Sequence, residues 1–188
     1  MRRTSGQDPE RQLGLAGMLA DAAAANQARR FAQQTSHLPG TLREGIAHYR
    51  GLLRRHHAAV LAGDEAGAKR VHGEACLLAV KLNGGERGYL AHETAPGCIL
   101  QRRTAARPGT VPMWGQVGSF VLLTSGMRVR IETRGLFGVC GFASFNAHAV
   151  QPNEPFLSDT GFRSFLGYGP GGTPGLTVDA YAQRCIDA

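Results

Sequence analysis

Lysine is almost absent from this sequence: Lys69 and Lys81 stand against nineteen arginines in 188 residues. The formal charge is nevertheless +7, carried as planar guanidinium, which suits phosphate. GC-rich coding, which inflates Arg, Ala, Gly and Pro together, gives the same excess without a functional demand. Cysteine is sparse. Cys76, Cys98, Cys140 and Cys185 are separated by 22, 42 and 45 positions, with no CxxC spacing. That excludes a disulfide scaffold and points to a reduced, cytoplasmic chain. No apolar run approaches the ~20 residues of a membrane helix. The stretch Leu13–Ala20 follows Arg2 and Arg3, but Asp8 and Glu10 sit in the would-be basic region and Asp21 ends the apolar stretch at eight residues, which argues against an export signal. No HxxxH pair exists. His56 and His57 are adjacent, so on a helix they point about 100° apart. The segment Asn83–Gly88 is glycine-rich but lacks a GKS or GKT ending and follows a helix instead of opening one. No metal and no cofactor are expected.

What is present suffices for one domain with an appendage. Apolar residues make up 43% and charged residues 19%, ordinary values for a globular chain. Residues 36–83 carry net +3 and residues 84–150 net +4, whereas 151–188 carry −2. Positive charge therefore concentrates in the middle of the chain.

The organising stretch is Val111–Val150, which holds the only Trp and four of the eight Phe. Phe120–Thr124 is apolar and Ser125-Gly126 is a two-residue turn signal. Met127–Thr133 then alternates, with Met127, Val129, Ile131 and Thr133 on one face and Arg128, Arg130 and Glu132 on the other. This predicts a β-hairpin with a dry face and a basic wet face. Upstream, residues 1–36 read as a flexible or loosely helical arm. Thr41–Ala62 reads as an amphipathic helix with a Thr41/Glu44 capping box, and its stripe is Leu42, Ile46, Tyr49, Leu53 and Val60. Asp64 caps a second helix that ends at Asn83-Gly84-Gly85, giving an αα-hairpin over 37–84. Cys98–Arg102 reads as a short strand, Arg107–Thr110 as a turn, and 95–150 as a small antiparallel sheet. Ser158 is placed to cap a short helix, Asp159–Leu166, with Leu157 and Phe162 as a hydrophobic staple. Thr177 caps a last helix to about Ile186. The predicted class is α+β: an N-terminal αα-hairpin, a small antiparallel sheet and two short C-terminal helices, as a single domain over 37–188.

The densest cationic stretch is His48–His57. Arg50 and Arg54 are four apart and share a helix face with charge from Arg55. Such a face can track phosphates or can simply be solvated. Arg128 and Arg130 project from one strand face, with Arg102 and Arg103 expected on a neighbouring strand. An Arg-bearing sheet face with exposed aromatics suits single-stranded nucleic acid. Here the aromatics are expected on the dry side, which weakens that idea, and pairing with Glu132 is the plainer role. Cys140 is the candidate nucleophile, with His148, His92, Asp159 or Glu132 as partners, against a buried inert thiol. Phe162, Arg163 and Phe165 are the candidate partner-docking residues.

Four phrases carry a resemblance: Lys81–Gly85 (KLNGG), Ala95–Cys98 (APGC), Val111–Gln116 (VPMWGQ) and Pro155–Gly167 (PFLSDTGFRSFLG). Over about residues 40–188 the chain resembles small uncharacterised proteins encoded on proteobacterial plasmids, prophages and integrative elements. The resemblance implies an accessory of a mobile element, of a kind that serves DNA maintenance, transcription or host defence. The leading expectation is a non-enzymatic protein that binds DNA or RNA, or a host or element-encoded protein that handles nucleic acid, through its Arg-rich faces and without a membrane. The alternatives are a small cysteine- or histidine-dependent hydrolase or transferase, and a protein–protein module.

Overall fold

The structure, a computed structural model, describes residues 9–124, 126–138, 144–151, 160–166 and 175–188. It divides into two units, residues 1–38 and 39–188. In the first unit α1 (Pro9–Gln34) is one long helix, as its alanine-rich middle favours. Beyond its last turn the Thr35 hydroxyl donates to the Phe31 carbonyl at 2.8 Å.

In the second unit α2 (Leu42–Leu61) starts at Thr41, whose Oγ1 accepts the Glu44 N–H at 3.3 Å. The Thr41 hydroxyl donates to the Glu44 carboxylate at 2.7 Å, so the capping box closes through the two side chains. Gly63, at φ +70°, turns the chain. Asp64 then caps α3 (Glu65–Leu82) by accepting the Gly67 N–H at 2.8 Å. Gly45 faces Leu82 at one end of the pair, and Arg55 meets Glu74 further along, so α2 and α3 run antiparallel.

The next element differs from expectation. Residues predicted as a strand form a helix, α4 (Pro96–Arg103), with Pro96 in its first turn. A fixed φ near −65° suits that position, where no N–H is needed. One face of α4 buries Gly97 and Leu100.

The sheet is a four-stranded antiparallel meander, β1 (Val117–Thr124), β2 (Met127–Arg134), β3 (Ser144–Ala149) and β4 (Phe162–Leu166), in the order β1-β2-β3-β4. Thr124 pairs with Met127, which fixes a two-residue connection with Gly126 at φ +75°. Strand β4 is the second departure from expectation: residues 162–166, read as the end of a helix, pair with β3 instead. Leu157 and Ser158, which were to cap and staple that helix, lie outside the described residues. The final helix α5 (Val178–Asp187) follows Thr177 as expected.

Period-2 alternation sorts the sheet's side chains. Phe120, Val129, Ile131, Phe145 and Ala147 point inward and are buried. They share one core with Val60 of α2, Ala68 of α3, Trp114, and Val178 and Ala182 of α5. Phe165 joins from β4 by stacking on Phe145 at 4.7 Å between ring centroids. A second apolar group lies between the helices and the turn after β2, where the Tyr49 ring stacks on Phe137 at 5.4 Å and Leu136 is buried. Residues of α2, α3 and α5 thus pack on one face of the sheet, and among the described residues of the other face Val121, Leu123, Arg128, Arg130 and Arg134 are exposed.

Candidate nucleic-acid interface

The cationic stretch His48–His57 does not form one surface. His48 Nε2 and Arg55 Nη2 both reach Glu74 Oε1 at 2.9 Å. Burial alone would raise the Glu74 carboxyl, but these hydrogen bonds and charges outweigh it and hold the pKa below the usual range. His56 is 3% exposed and part of the core, not of the cationic face. Its Nδ1 lies 3.2 Å from the Trp114 carbonyl, while His57 Nδ1 accepts the Trp114 N–H at 3.1 Å. Two adjacent histidines therefore hold both polar ends of one residue. Burial lowers the pKa of both. Arg50 donates to the Arg103 carbonyl at 3.4 Å, a long contact that brings α2 to α4. Arg54 is left exposed. Arg102, on α4, donates to the Glu93 carbonyl at 3.2 Å. A notch of about 420 Å³ between α2 and α3 sets Arg55 and Arg70 against Glu74 and Asp64, so it offers an anion little net charge.

The solvent face of the sheet is different. Arg128, Arg130, Glu132 and Arg134 alternate along β2, three guanidinium groups to one carboxylate. Across the strands one row runs Val121, Arg130, His148, Phe162, and the next runs Ser119, Glu132, Asn146, Ser164. The sheet aromatics Phe120 and Phe145 lie on the dry side, as the alternation predicts. Phe162 instead lies on the wet face, 41% exposed, with its ring 4.9 Å from that of His148 and tilted by 51°. The cause is the strand itself: residues 162 and 165 are neighbours on a helix but fall on opposite faces of a strand. Phe162, Arg163 and Phe165 therefore do not form one docking patch. Arg163 and Phe165 sit on the inward side, with the guanidinium 5.1 Å from the Phe165 ring centre.

Contacts within this face hold it in place. Arg130 Nε is 3.1 Å from Glu132 Oε1. His148 Nε2 is 3.3 Å from Glu132 Oε2, close enough for an ion pair when protonated but not aligned as a hydrogen bond. Asn146 Oδ1 accepts from Arg134 Nη2 at 3.2 Å and from the Ser164 hydroxyl at 2.7 Å. Glu132 thus pairs along and across the strands, as its sequence position suggested. Arg128 is exposed beside Leu123, itself 69% exposed. The outer edge of β1 is half covered: Ala106 donates to the Val117 carbonyl at 2.8 Å and Gly109 to the Ser119 carbonyl at 3.1 Å. The structure brings Arg50 near Arg103, and Arg128 beside Arg130. It does not join the two sets, because the sheet's inner face packs toward the helices and its outer face points away.

Of the catalytic candidates, Cys140 lies outside the described residues. His148 is occupied by Glu132 and the Phe162 ring. A thiol–imidazole pair does exist elsewhere: Cys76 Sγ lies 3.8 Å from His72 Nε2 on α3, and the Tyr89 hydroxyl donates to the sulfur at 3.6 Å. Its His-x-x-x-Cys spacing was legible in the sequence. Burial and the thiol raise Tyr89 to about 12 and burial lowers His72, so at neutral pH the phenol stays protonated and the imidazole neutral. Among the described residues no group of three or more His, Cys, Asp or Glu is placed to hold a metal ion. No described helix is long and apolar enough to cross a membrane.

No family model matches the chain. No solved structure matches it either. Two curated proteins do, both called Protein KlcB and both from Escherichia coli. One is 37% identical over 132 residues, 70% of this chain and 32% of that protein. The other is 40% identical over 120 residues, 63% of this chain and 25% of that protein. The chain is therefore similar to a segment of proteobacterial KlcB proteins, and it spans between about a quarter and a third of their length.

Proposed function

We propose that the chain is a non-catalytic accessory module, carried by a mobile genetic element, that binds nucleic acid through the solvent face of its sheet. One observation carries the reading: Arg128, Arg130 and Arg134 stand together on the outer face of β2 and are exposed. Guanidinium groups on a rigid strand lose little freedom on meeting phosphate, and their fork matches two phosphate oxygens. Glu132 lowers the net charge of the face but fixes Arg130 in place, which limits the entropic cost of binding. The arginines of α2 and α4 are secondary in this reading, because they stand on other elements and do not share the β2 row. The mobile-element context rests on the sequence resemblance and fits the similarity to the KlcB proteins. In the longer proteins of that kind the module would be one part of a larger assembly. The test is fluorescence anisotropy of labelled oligonucleotides with the purified chain at low salt. Arg128→Gln with Arg130→Gln should weaken binding at least several-fold, with an unchanged circular dichroism spectrum. Equal affinity of the double variant would refute the assignment of this face.

A further inference from the structure

We infer that a second copy of this chain pairs with the outer edge of β1, so that two sheets join and the arginine rows of both copies lie side by side. What the pair binds rests on the reading of the sheet face given above, whereas the pairing itself stands on the geometry of the edge.

The backbone of β1 faces two ways. Even-numbered residues bond to β2, as the Thr124–Met127 pair beside the two-residue turn requires. Odd-numbered residues turn their N–H and C=O groups outward. Two of these are met within the fold, since Ala106 donates to the Val117 carbonyl and Gly109 to the Ser119 carbonyl. No described residue bonds to the outward backbone groups of the next two, Val121 and Leu123. Their side chains are 49% and 69% exposed. An open edge with apolar side chains, and neither Lys nor Pro to blunt it, is a template for another strand. The open stretch is short: the 106–109 segment bounds it on one side and the turn at Gly126 on the other. It is also self-complementary. An antiparallel copy with a two-fold axis at Leu122 sets Val121 opposite the second copy's Leu123, and Leu123 opposite its Val121. Each of these pairs exchanges both backbone bonds. The apolar side chains of each pair meet on the outer face. On the inner face Leu122, which already packs against the core, meets its own copy.

Area and charge decide when the pair forms. A stretch this short buries far less than the ~800 Å² per partner of a stable interface, and two chains of charge +7 repel each other. Alone, the pair is therefore weak. On β2, Arg130 stands opposite Val121 and Arg128 opposite Leu123. Across the joined edge one row thus reads Arg130, Val121, then the second copy's Leu123 and Arg128. With strands about 4.8 Å apart, the two arginine positions are about 14 Å from each other. A polyanion laid over that row meets arginine from both copies, offsets the repulsion and holds the edges together.

The experiment follows the full chain by sedimentation velocity at low salt, alone and with a short 5′-labelled oligothymidine strand. The proposal expects mostly monomer without the strand and a complex holding two copies of the chain with it. Leu122→Cys should give a disulfide-linked dimer under mild oxidation when the strand is present, because residues opposite each other in a pair that exchanges no bonds lie about 4.5 Å apart at Cα, within disulfide range. Ser119→Cys should give none, because this register carries the residue away from its own copy. Val121→Pro deletes an outward N–H that the β1–β2 pairing does not use, and Leu123→Lys puts a charge on the edge. Each should leave a single copy in the complex, and Leu123→Lys should do so without loss of oligonucleotide binding. If the unaltered chain binds as a single copy at every concentration, and Leu122→Cys yields no more dimer than Ser119→Cys, the pairing is wrong. The sheet-face reading then survives as long as Arg128→Gln with Arg130→Gln still weakens binding. If Leu122→Cys dimerises and Leu123→Lys abolishes this while no oligonucleotide binds, the pairing stands and the nucleic-acid reading fails.

Discussion

The histidine pair that grips Trp114 makes the stability of this protein pH-dependent in a defined window. His56 is 3% exposed, and burial lowers its pKa despite the opposing effect of the hydrogen bond to the Trp114 carbonyl. The neutral imidazole donates from Nδ1 to that carbonyl. A proton on Nε2 would put a charge in the core without a described partner. The unfolded chain therefore binds a proton more readily than the folded one. A depressed folded pKa means that stability is complete above about pH 6.5 and is lost as pH falls below it. One histidine that stays neutral in the fold costs about 1.4 kcal/mol between pH 7.5 and 5.5. His57 would lose its lone-pair contact to the Trp114 N–H on protonation, and burial lowers it as well. His72 is lowered in the same way. Both are partly accessible, so each adds less than His56 in the same direction. The Glu74 carboxyl titrates below its ordinary range and stays out of this window. Trp114 is the only tryptophan and is 3% exposed, so urea unfolding can be followed by its fluorescence. Unfolding free energy should fall from pH 7.5 to 5.5, and His56→Gln should make that fall smaller, by at most about 1.4 kcal/mol. A flat profile, or a His56→Gln variant that keeps the full slope, would refute the reasoning.

Other expectations follow from the packing. Phe145→Ala removes a fully buried ring that stacks on Phe165 and should cost about 3–5 kcal/mol, read by chemical denaturation. Gly135→Ala should destabilise by more than about 1 kcal/mol: φ is +85°, and the added methyl would stand 2.6 Å from both Val117 Cγ2 and Gln101 Nε2. Thr41→Ala, which deletes the α2 cap, should cost about 1 kcal/mol by the same measurement. Arg50→Gln with Arg54→Gln should leave oligonucleotide affinity within about two-fold in an anisotropy titration, because neither residue is on the sheet face.

Local signals made much of the fold legible. Thr41, Asp64 and Thr177 precede their helices, and the alternation from Met127 to Thr133 gives the faces of β2 directly. The failures were non-local or rested on short segments. Cys98–Arg102 carries too few residues for a period of two to be told from 3.6, and Pro96 was the better guide. Phe162 and Phe165 suit a helix face three apart, but pairing with β3 decides their state, and that pairing is set by residues far away in sequence. That error hid the fourth strand of the sheet, and only the strand reading puts Phe162 beside His148. His56 was counted with the surface charges because nothing local marks it as the partner of Trp114, 58 positions away. The arginines of β2 were visible from the start. Their significance depends on which face the helices pack against.

The most direct test of the central claim is the salt dependence of single-strand binding. For single strands, log affinity falls with log salt by about 0.7 for each phosphate neutralised. If Arg128 and Arg130 contact phosphates, replacing both by Gln should flatten the slope by about 1.4. The Arg50 and Arg54 double variant should keep the wild-type slope. Unchanged slopes in the β2 variant, or flattening in the α2 variant alone, would contradict the account.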